Sequence, residues 1–231
     1  MKTIGMIGGM SWESSIEYYR IINETVRDEL GSLHSAKSIM YSVEFAEIET
    51  LQHQNRWDDA AKIMIAAARS IENGGADFGI ICTNTMHKLY DIVQQNIRIP
   101  MLHIADATAE SIQAKGIKKI ALLGTRFTMA EDFYKGRLVN KYGLDVMIPA
   151  ADEMEIVHRV IYDELCAGMI NSDSKQEYAD IITHLVTEGA EGIILGCTEI
   201  GLLVKQADSP VPLFDTTEIH AKAAVKYALE D

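Results

Sequence analysis

Short apolar runs alternate with amphipathic stretches along the whole chain, the pattern of a parallel sheet flanked by helices. Residues 3–7 form an apolar run that closes on Gly8-Gly9, and they read as a strand. Residues 14–30 place Tyr18, Ile21, Ile22 and Val26 on one helical face. Strands are predicted over 39–43, 78–82 and 100–104, with helices over 57–71 and 85–96. The series then plays again. Strands are predicted over 119–123, 144–148, 192–195 and 212–214, with helices over 129–142, 155–165, 173–188 and 218–229.

The replay holds residue by residue, which marks an internal repeat. Ile4-Gly5-Met6-Ile7-Gly8 matches Ile120-Ala121-Leu122-Leu123-Gly124, and Gly75-Ala76-Asp77 matches Gly189-Ala190-Glu191. Pro100-Met101-Leu102 matches Pro212-Leu213-Phe214. Any two βα units share apolar runs, but shared order and spacing imply duplication. Carried on without a gap, the register sets Cys82 on Gly196, Thr83 on Cys197 and Asn84 on Thr198.

Composition narrows the class. The 231 residues are 48% hydrophobic and 24% charged, ordinary for a globular protein with a sizeable core. The net charge of −13 repels phosphate backbones. No basic patch offsets it, since the densest cluster is Lys118-Lys119, so no nucleic-acid partner is expected. Three cysteines without paired spacing argue against a disulfide framework. No run approaches the roughly 20 apolar residues that cross a bilayer. Residues 1–5 lack the apolar region of a signal peptide, so a cytoplasmic protein without a membrane partner is expected.

Ligands of parallel α/β sheets bind beyond the carboxyl ends of the strands. The loops there are 8–14, 83–87, 124–128 and 197–200. Helix N-termini in that position suit a small carboxylate, even on an acidic protein. Two such faces, one per half, predict a cleft in which Thr83 and Cys197 approach one ligand from opposite sides. Inverting a stereocentre by moving a proton needs a group on each face of the carbon. A thiolate serves as the base once its pKa is lowered, and a helix N-terminus after Cys197 is expected to lower it. Cys82 and Cys166 read as core. Asn84, Thr85 and Thr198 read equally well as helix caps or as ligand contacts. His87, one helical turn after Thr83, either orients the site or simply packs. Cys82, His87 and His103 lack metal-ligand spacing, and Gly5-Met6-Ile7-Gly8-Gly9 is not a dinucleotide fingerprint.

Four segments together resemble the aspartate/glutamate racemase family across essentially the whole chain. They are Ile7-Gly8-Gly9-Met10-Ser11-Trp12-Glu13-Ser14, Cys82-Thr83-Asn84-Thr85-Met86-His87, Leu123-Gly124-Thr125-Arg126-Phe127-Thr128 and Gly196-Cys197-Thr198-Glu199. The resemblance implies two pseudo-symmetric α/β domains, each with a four-stranded parallel sheet flanked by helices, and an active site in the cleft between them. The domains are expected at 1–103 with 213–231, and at 104–212. No cofactor is implied, neither pyridoxal phosphate nor a metal. The implied partner is a small amino acid, and relatives that pair suggest a homodimer.

Residue by residue, Cys197 matches the family's second-half catalytic cysteine. Asn84, Thr85 and Thr198 match positions that hold the α-carboxylate and amino group. Glu199 adjoins them, Met10 is expected to touch substrate, and Gln52 is expected in a loop facing the substrate side chain. The usual first-half cysteine is replaced by Thr83, with Cys82 one residue earlier. A slip could bring Cys82 into play, but the internal register favours Thr83, because neighbouring strand residues point to opposite sides. This Thr/Cys pairing is similar to the L-aspartate/glutamate-specific racemases, in which the second-half cysteine works on the L face. Cofactor-independent racemisation of L-Asp and L-Glu, or of a broader set, is therefore expected. A decarboxylase or maleate-type isomerase on the same scaffold, or a catalytically weak amino-acid-binding protein, are the alternatives. The basic residue that often holds a distal carboxylate is missing near 162–168, where Glu164 and Cys166 stand, and Arg126 is the nearest candidate cation.

Overall fold

A computed structural model describes residues 1–230. Two compact units divide the chain: residues 1–104 with the segment from His220 onward, and Ala105–Ile219.

In the first unit the chain runs β1 (Ile4–Gly8), α1 (Trp12–Leu30), β2 (Ser38–Ser42), α2 (Phe45–His53), α3 (Trp57–Asn73), β3 (Phe78–Ile81), a 3-10 turn over Thr85–Leu89, α4 (Tyr90–Gln94) and β4 (Met101–Leu102). The strands form one parallel sheet in the order β2-β1-β3-β4. β1 and β3 are central, buried on both faces, and so nearly continuously apolar. Their side chains alternate between two cores. Ile7 and Ile81 join Met64, Ala67, Ala68 and Ile71 of α3. Ile4, Met6, Phe78, Ile80 and Cys82 join Tyr18, Ile22 and Val26 of α1 and four residues after His220. Gly5 lets α3 close on the sheet: a Cβ there would lie 2.7 Å from Ile71 Cδ1 and 2.9 Å from Ala76 Cβ.

The second unit contains α5 (Ile104–Ala114), β5 (Lys119–Gly124), α6 (Arg126–Ala130), α7 (Lys135–Tyr142), β6 (Asp145–Met147), α8 (Ala151–Asp163), α9 (Ser172–Thr187), β7 (Ile193–Gly196), α10 (Ile200–Leu203) and β8 (Leu213–Asp215). Its parallel sheet is ordered β6-β5-β7-β8, the same sequence of positions as the first. α11 (Thr216–Leu229) begins in this unit and continues past His220 into the first.

The repeat extends to hydrogen bonds. Asp77 accepts the Thr3 N–H at 2.6 Å, and Glu191 accepts the Lys118 and Lys119 N–H groups at 2.9 and 3.0 Å. Each carboxylate ties the turn before one strand to the start of the next. Gly75 and Gly189, two residues earlier, take φ of 95° and 101°, which a side chain would resist.

Several boundaries differ from the sequence reading. The second unit runs on to Ile219 rather than 212, because β8 pairs with β7 through Ile193↔Leu213, Ile194↔Phe214 and Leu195↔Asp215. The helix expected over 129–142 divides into α6 and α7, with Glu131 extended at the break. α2 and α5 were not anticipated. Glu44 caps α2, its carboxylate accepting the Ala46 and Glu47 N–H groups at 3.2 Å each. This helix carries Gln52, expected in a loop.

Candidate active site

In the first unit the expected residues gather beyond the carboxyl ends of β1 and β3. Cys82 continues the strand pairing, its N–H donating to Ile7 O at 2.9 Å, and its thiol sits in the α1-side core. Burial drives that thiol's pKa far upward, so it stays protonated. The next residue, Thr83, lies in the bend after β3 and is half-buried. Asn84 and Thr85 follow, both buried. Asn84 is helical in backbone and its side chain makes no cap bond to the 3-10 turn, so the plain capping role does not apply. Gln52, at the end of α2, is buried and donates from Nε2 to Met86 Sδ at 3.0 Å. Met86 is the residue after Thr85, so this bond joins α2 to the Thr83–Thr85 segment. Met10 is buried in the α3-side core with Ile48 and Leu51. Gly9, at φ 90°, turns the chain there, and its N–H donates to Ser15 Oγ at 2.8 Å.

In the second unit Cys197, Thr198 and Glu199 follow β7, all buried. The Cys197 thiol donates to Glu199 Oε2 at 2.9 Å, and Thr198 Oγ1 donates to the same oxygen at 2.8 Å. Glu199 precedes α10 but makes no side-chain cap bond to it. Its carboxylate is instead turned onto the thiol, a contact the sequence reading, which set Glu199 only beside the substrate-binding residues, did not anticipate.

The electrostatics of Cys197 run opposite to expectation. Burial, and after it the negative charge of Glu199, hold the thiol well above its ordinary pKa. The helix expected to lower it is α10, a single turn that starts three residues later. A macrodipole that short supplies little field. The resting thiol is therefore neutral, with a carboxylate already placed to accept its proton.

Arg126, the candidate cation, is exposed and paired with Glu155 at 2.6 Å. Glu164, in the stretch where the expected basic residue is missing, accepts from Ser174 Oγ at 2.7 Å. Among the described residues, no group of three or more His, Cys, Asp or Glu side chains is arranged to hold a metal ion, and no helix is long and apolar enough to cross a membrane. The sequence reading also passed over Asp215, which accepts the Thr217 and Glu218 N–H groups at 2.9 and 3.2 Å and caps α11. Its repeat partner, one past the Pro100-Met101-Leu102 match, is His103.

Comparison with known proteins bears on the fold and the family. An aspartate racemase homologue from Pyrococcus horikoshii is 38% identical, with a TM-score of 0.86 over the whole of both chains. An Asp/Glu racemase candidate from Yersinia pestis is 53% identical, with a TM-score of 0.93, again over the whole of both chains. The broad specificity amino-acid racemase RacX of Bacillus subtilis is 25% identical over 175 residues, 73% of this chain and 72% of that protein. The sequence profile of one family matches residues 7–224, from the end of β1 into α11, and so takes in both sheets and both loop clusters. Matched by that profile over most of its length and built on two four-stranded parallel sheets of the same strand order, the chain belongs to the Asp/Glu/Hydantoin racemase family.

Proposed function

We propose that the protein is a cofactor-independent amino-acid racemase in which Cys197 removes the α-proton on the L face and Thr83 serves the opposite face. The observation that carries this reading is the 2.9 Å contact of the Cys197 thiol with the Glu199 carboxylate. A neutral thiol is no base, but one bonded to a carboxylate becomes a base when a positive charge arrives. The ammonium group of a bound amino acid supplies that charge. The thiol proton passes to Glu199, and the thiolate takes the α-proton as the Cα–H bond breaks. The Thr83 hydroxyl then gives its proton to the other face, forming the new Cα–H bond, and the alkoxide is reprotonated through solvent by the proton that Glu199 releases. Asn84, Thr85 and Thr198 hold the carboxylate and ammonium groups.

An aliphatic hydroxyl is a far weaker acid than a thiol. A thiol that has traded its proton with solvent through Glu199 therefore returns deuterium to the L face faster than Thr83 delivers a proton to the other, and exchange outpaces inversion. Racemisation has an equilibrium constant of one, so kcat/KM is equal in the two directions however poor Thr83 is. L-Asp and L-Glu are the first substrates to try. Because Arg126 is already paired with Glu155, neutral L-amino acids are expected to be accepted too.

The test is α-proton exchange in D₂O, followed by NMR, with the D-isomer measured by chiral chromatography. Exchange that is lost in Cys197→Ser supports the reading. No exchange with acidic or neutral L-amino acids sinks it.

A further inference from the structure

A second layer of side chains lies directly behind Thr83. His87 is almost fully buried, and its two ring nitrogens reach two different backbone segments. Nδ1 is 2.7 Å from the carbonyl oxygen of Thr83, and Nε2 is 3.2 Å from the amide nitrogen of Ile104. A carbonyl oxygen only accepts, so Nδ1 carries the proton. A backbone N–H only donates, so Nε2 is the bare nitrogen. The two bonds agree on one neutral tautomer and together close a clip between the turn after β3 and the turn after β4.

The ring is held in place by other rings. His103 lies with its centroid 4.6 Å away, His220 at 5.8 Å, and Tyr90 stacks at 6.1 Å with planes 10° apart. His220 is itself fixed, taking the Tyr18 hydroxyl on Nδ1 at 3.0 Å and giving its Nε2–H to Leu102 O at 3.2 Å.

The repeat shows that this clip belongs to one half only. In the register that sets Thr83 on Cys197, His87 falls on Gly201. A Cβ at Gly201 would run into Asp215 Oδ2, so a carboxylate fills the corresponding space in the second unit. The half that presents a thiol does without the clip, whereas the half that presents a hydroxyl has it. A weak acid contributes only when it is aimed, and threonine, branched at Cβ, points its hydroxyl wherever its backbone directs.

We propose that His87 is a positioning residue for Thr83: its Nδ1–H holds the Thr83 peptide so that the hydroxyl is aimed at the α-carbon. This inference rests on the role proposed above for Thr83.

Two variants separate the bonds. In His87→Asn the side-chain amide donor sits near the place of Nδ1 and can still hold the Thr83 carbonyl. In His87→Gln the amide oxygen sits near Nε2 and can accept from Ile104, but the donor to Thr83 is lost. Both are checked for native-like urea transitions and assayed for α-proton exchange and for inversion. In His87→Gln inversion is expected to fall by about tenfold or more relative to exchange, the scale of a small misplacement of a reacting group. His87→Asn is expected to keep most of the ratio. Exchange and inversion falling together, or an unchanged ratio in folded His87→Gln, would overturn the proposal. Independently, ¹⁵N NMR of the wild-type ring is expected to show the Nδ1–H tautomer; the Nε2–H form, or an average of the two, would also overturn it. Wild-type protein that exchanges no amino acid would instead fail the racemase reading, and the ring spectrum would still decide whether the clip exists.

Discussion

Glu199 both hinders and serves Cys197, and a single substitution exposes the two effects. Its charge raises the thiol pKa, second only to burial. Glu199→Gln removes the charge, so alkylation of Cys197 by iodoacetamide is expected to rise at lower pH than in the wild type. The same change removes the proton acceptor, and exchange should slow by about 10². Faster alkylation with slower exchange is the signature; faster exchange would contradict the role given to the carboxylate. His220 offers a pH test of the fold. Burial lowers its pKa from 6.5 to about 4, opposed by the bond to Leu102 O. Unfolded His220 takes up a proton below pH 6.5 while the folded ring stays neutral. Its contribution is thus complete above pH 6.5 and lost as pH falls toward 4, a loss of about 3 kcal/mol at full extent. Urea midpoints between pH 7 and 4.5 should fall in the wild type and fall less steeply in His220→Gln. At this scale the sequence was partly legible. The repeat partner of Cys82 is a glycine, which marked Cys82 as core, and its thiol is indeed packed there. The direction of the Cys197 shift was not legible, because it depends on where Glu199 turns its carboxylate and on how short α10 is.

At the scale of elements, the end of β7 leaves no room for a side chain at Gly196. A Cβ on Gly196 would lie 2.7 Å from Leu123 O and from Leu122 Cδ1. The first contact is with backbone and cannot yield, so Gly196→Ala is expected to destabilise by about 1–3 kcal/mol, read as a lower urea midpoint. Its repeat partner Cys82 carries a side chain, which belongs to the same core as Tyr18, Phe78 and Ala224. The strands were the most legible elements, since a central parallel strand is an unbroken apolar run bounded by glycine. The helices were less so. α2 shows its apolar face only at Phe45, Ile48 and Leu51, too brief a period to stand out. The break between α6 and α7 has no proline or glycine at Glu131 to announce it.

At the scale of the molecule, the two units differ in how their sequence is drawn. The second is one continuous stretch, Ala105–Ile219, whereas the first needs residues from both sides of it. Ala221, Ala224, Val225 and Ala228 of α11 complete the core over Ile4, Met6, Phe78 and Ile80. A fragment of residues 105–219 is therefore expected to unfold cooperatively in urea on its own. A fragment of residues 1–104 should do so only when a peptide of residues 216–230 is added. Cooperative unfolding of the bare 1–104 fragment would show that the α1-side core closes without α11.

This interleaving has a consequence for the gene as well as for the fold. On the ribosome, the first unit emerges first but is completed only after the whole of the second has followed. Through that interval Tyr18, Ile22, Phe78 and Ile80 lack the helix that covers them, the kind of exposure that invites aggregation and chaperone capture. A premature stop codon just after Ile219 would spare both loop clusters, Thr83 and Cys197 included. Such an allele should nevertheless yield insoluble product, and complementation by a separately translated α11 segment is the genetic means of checking it.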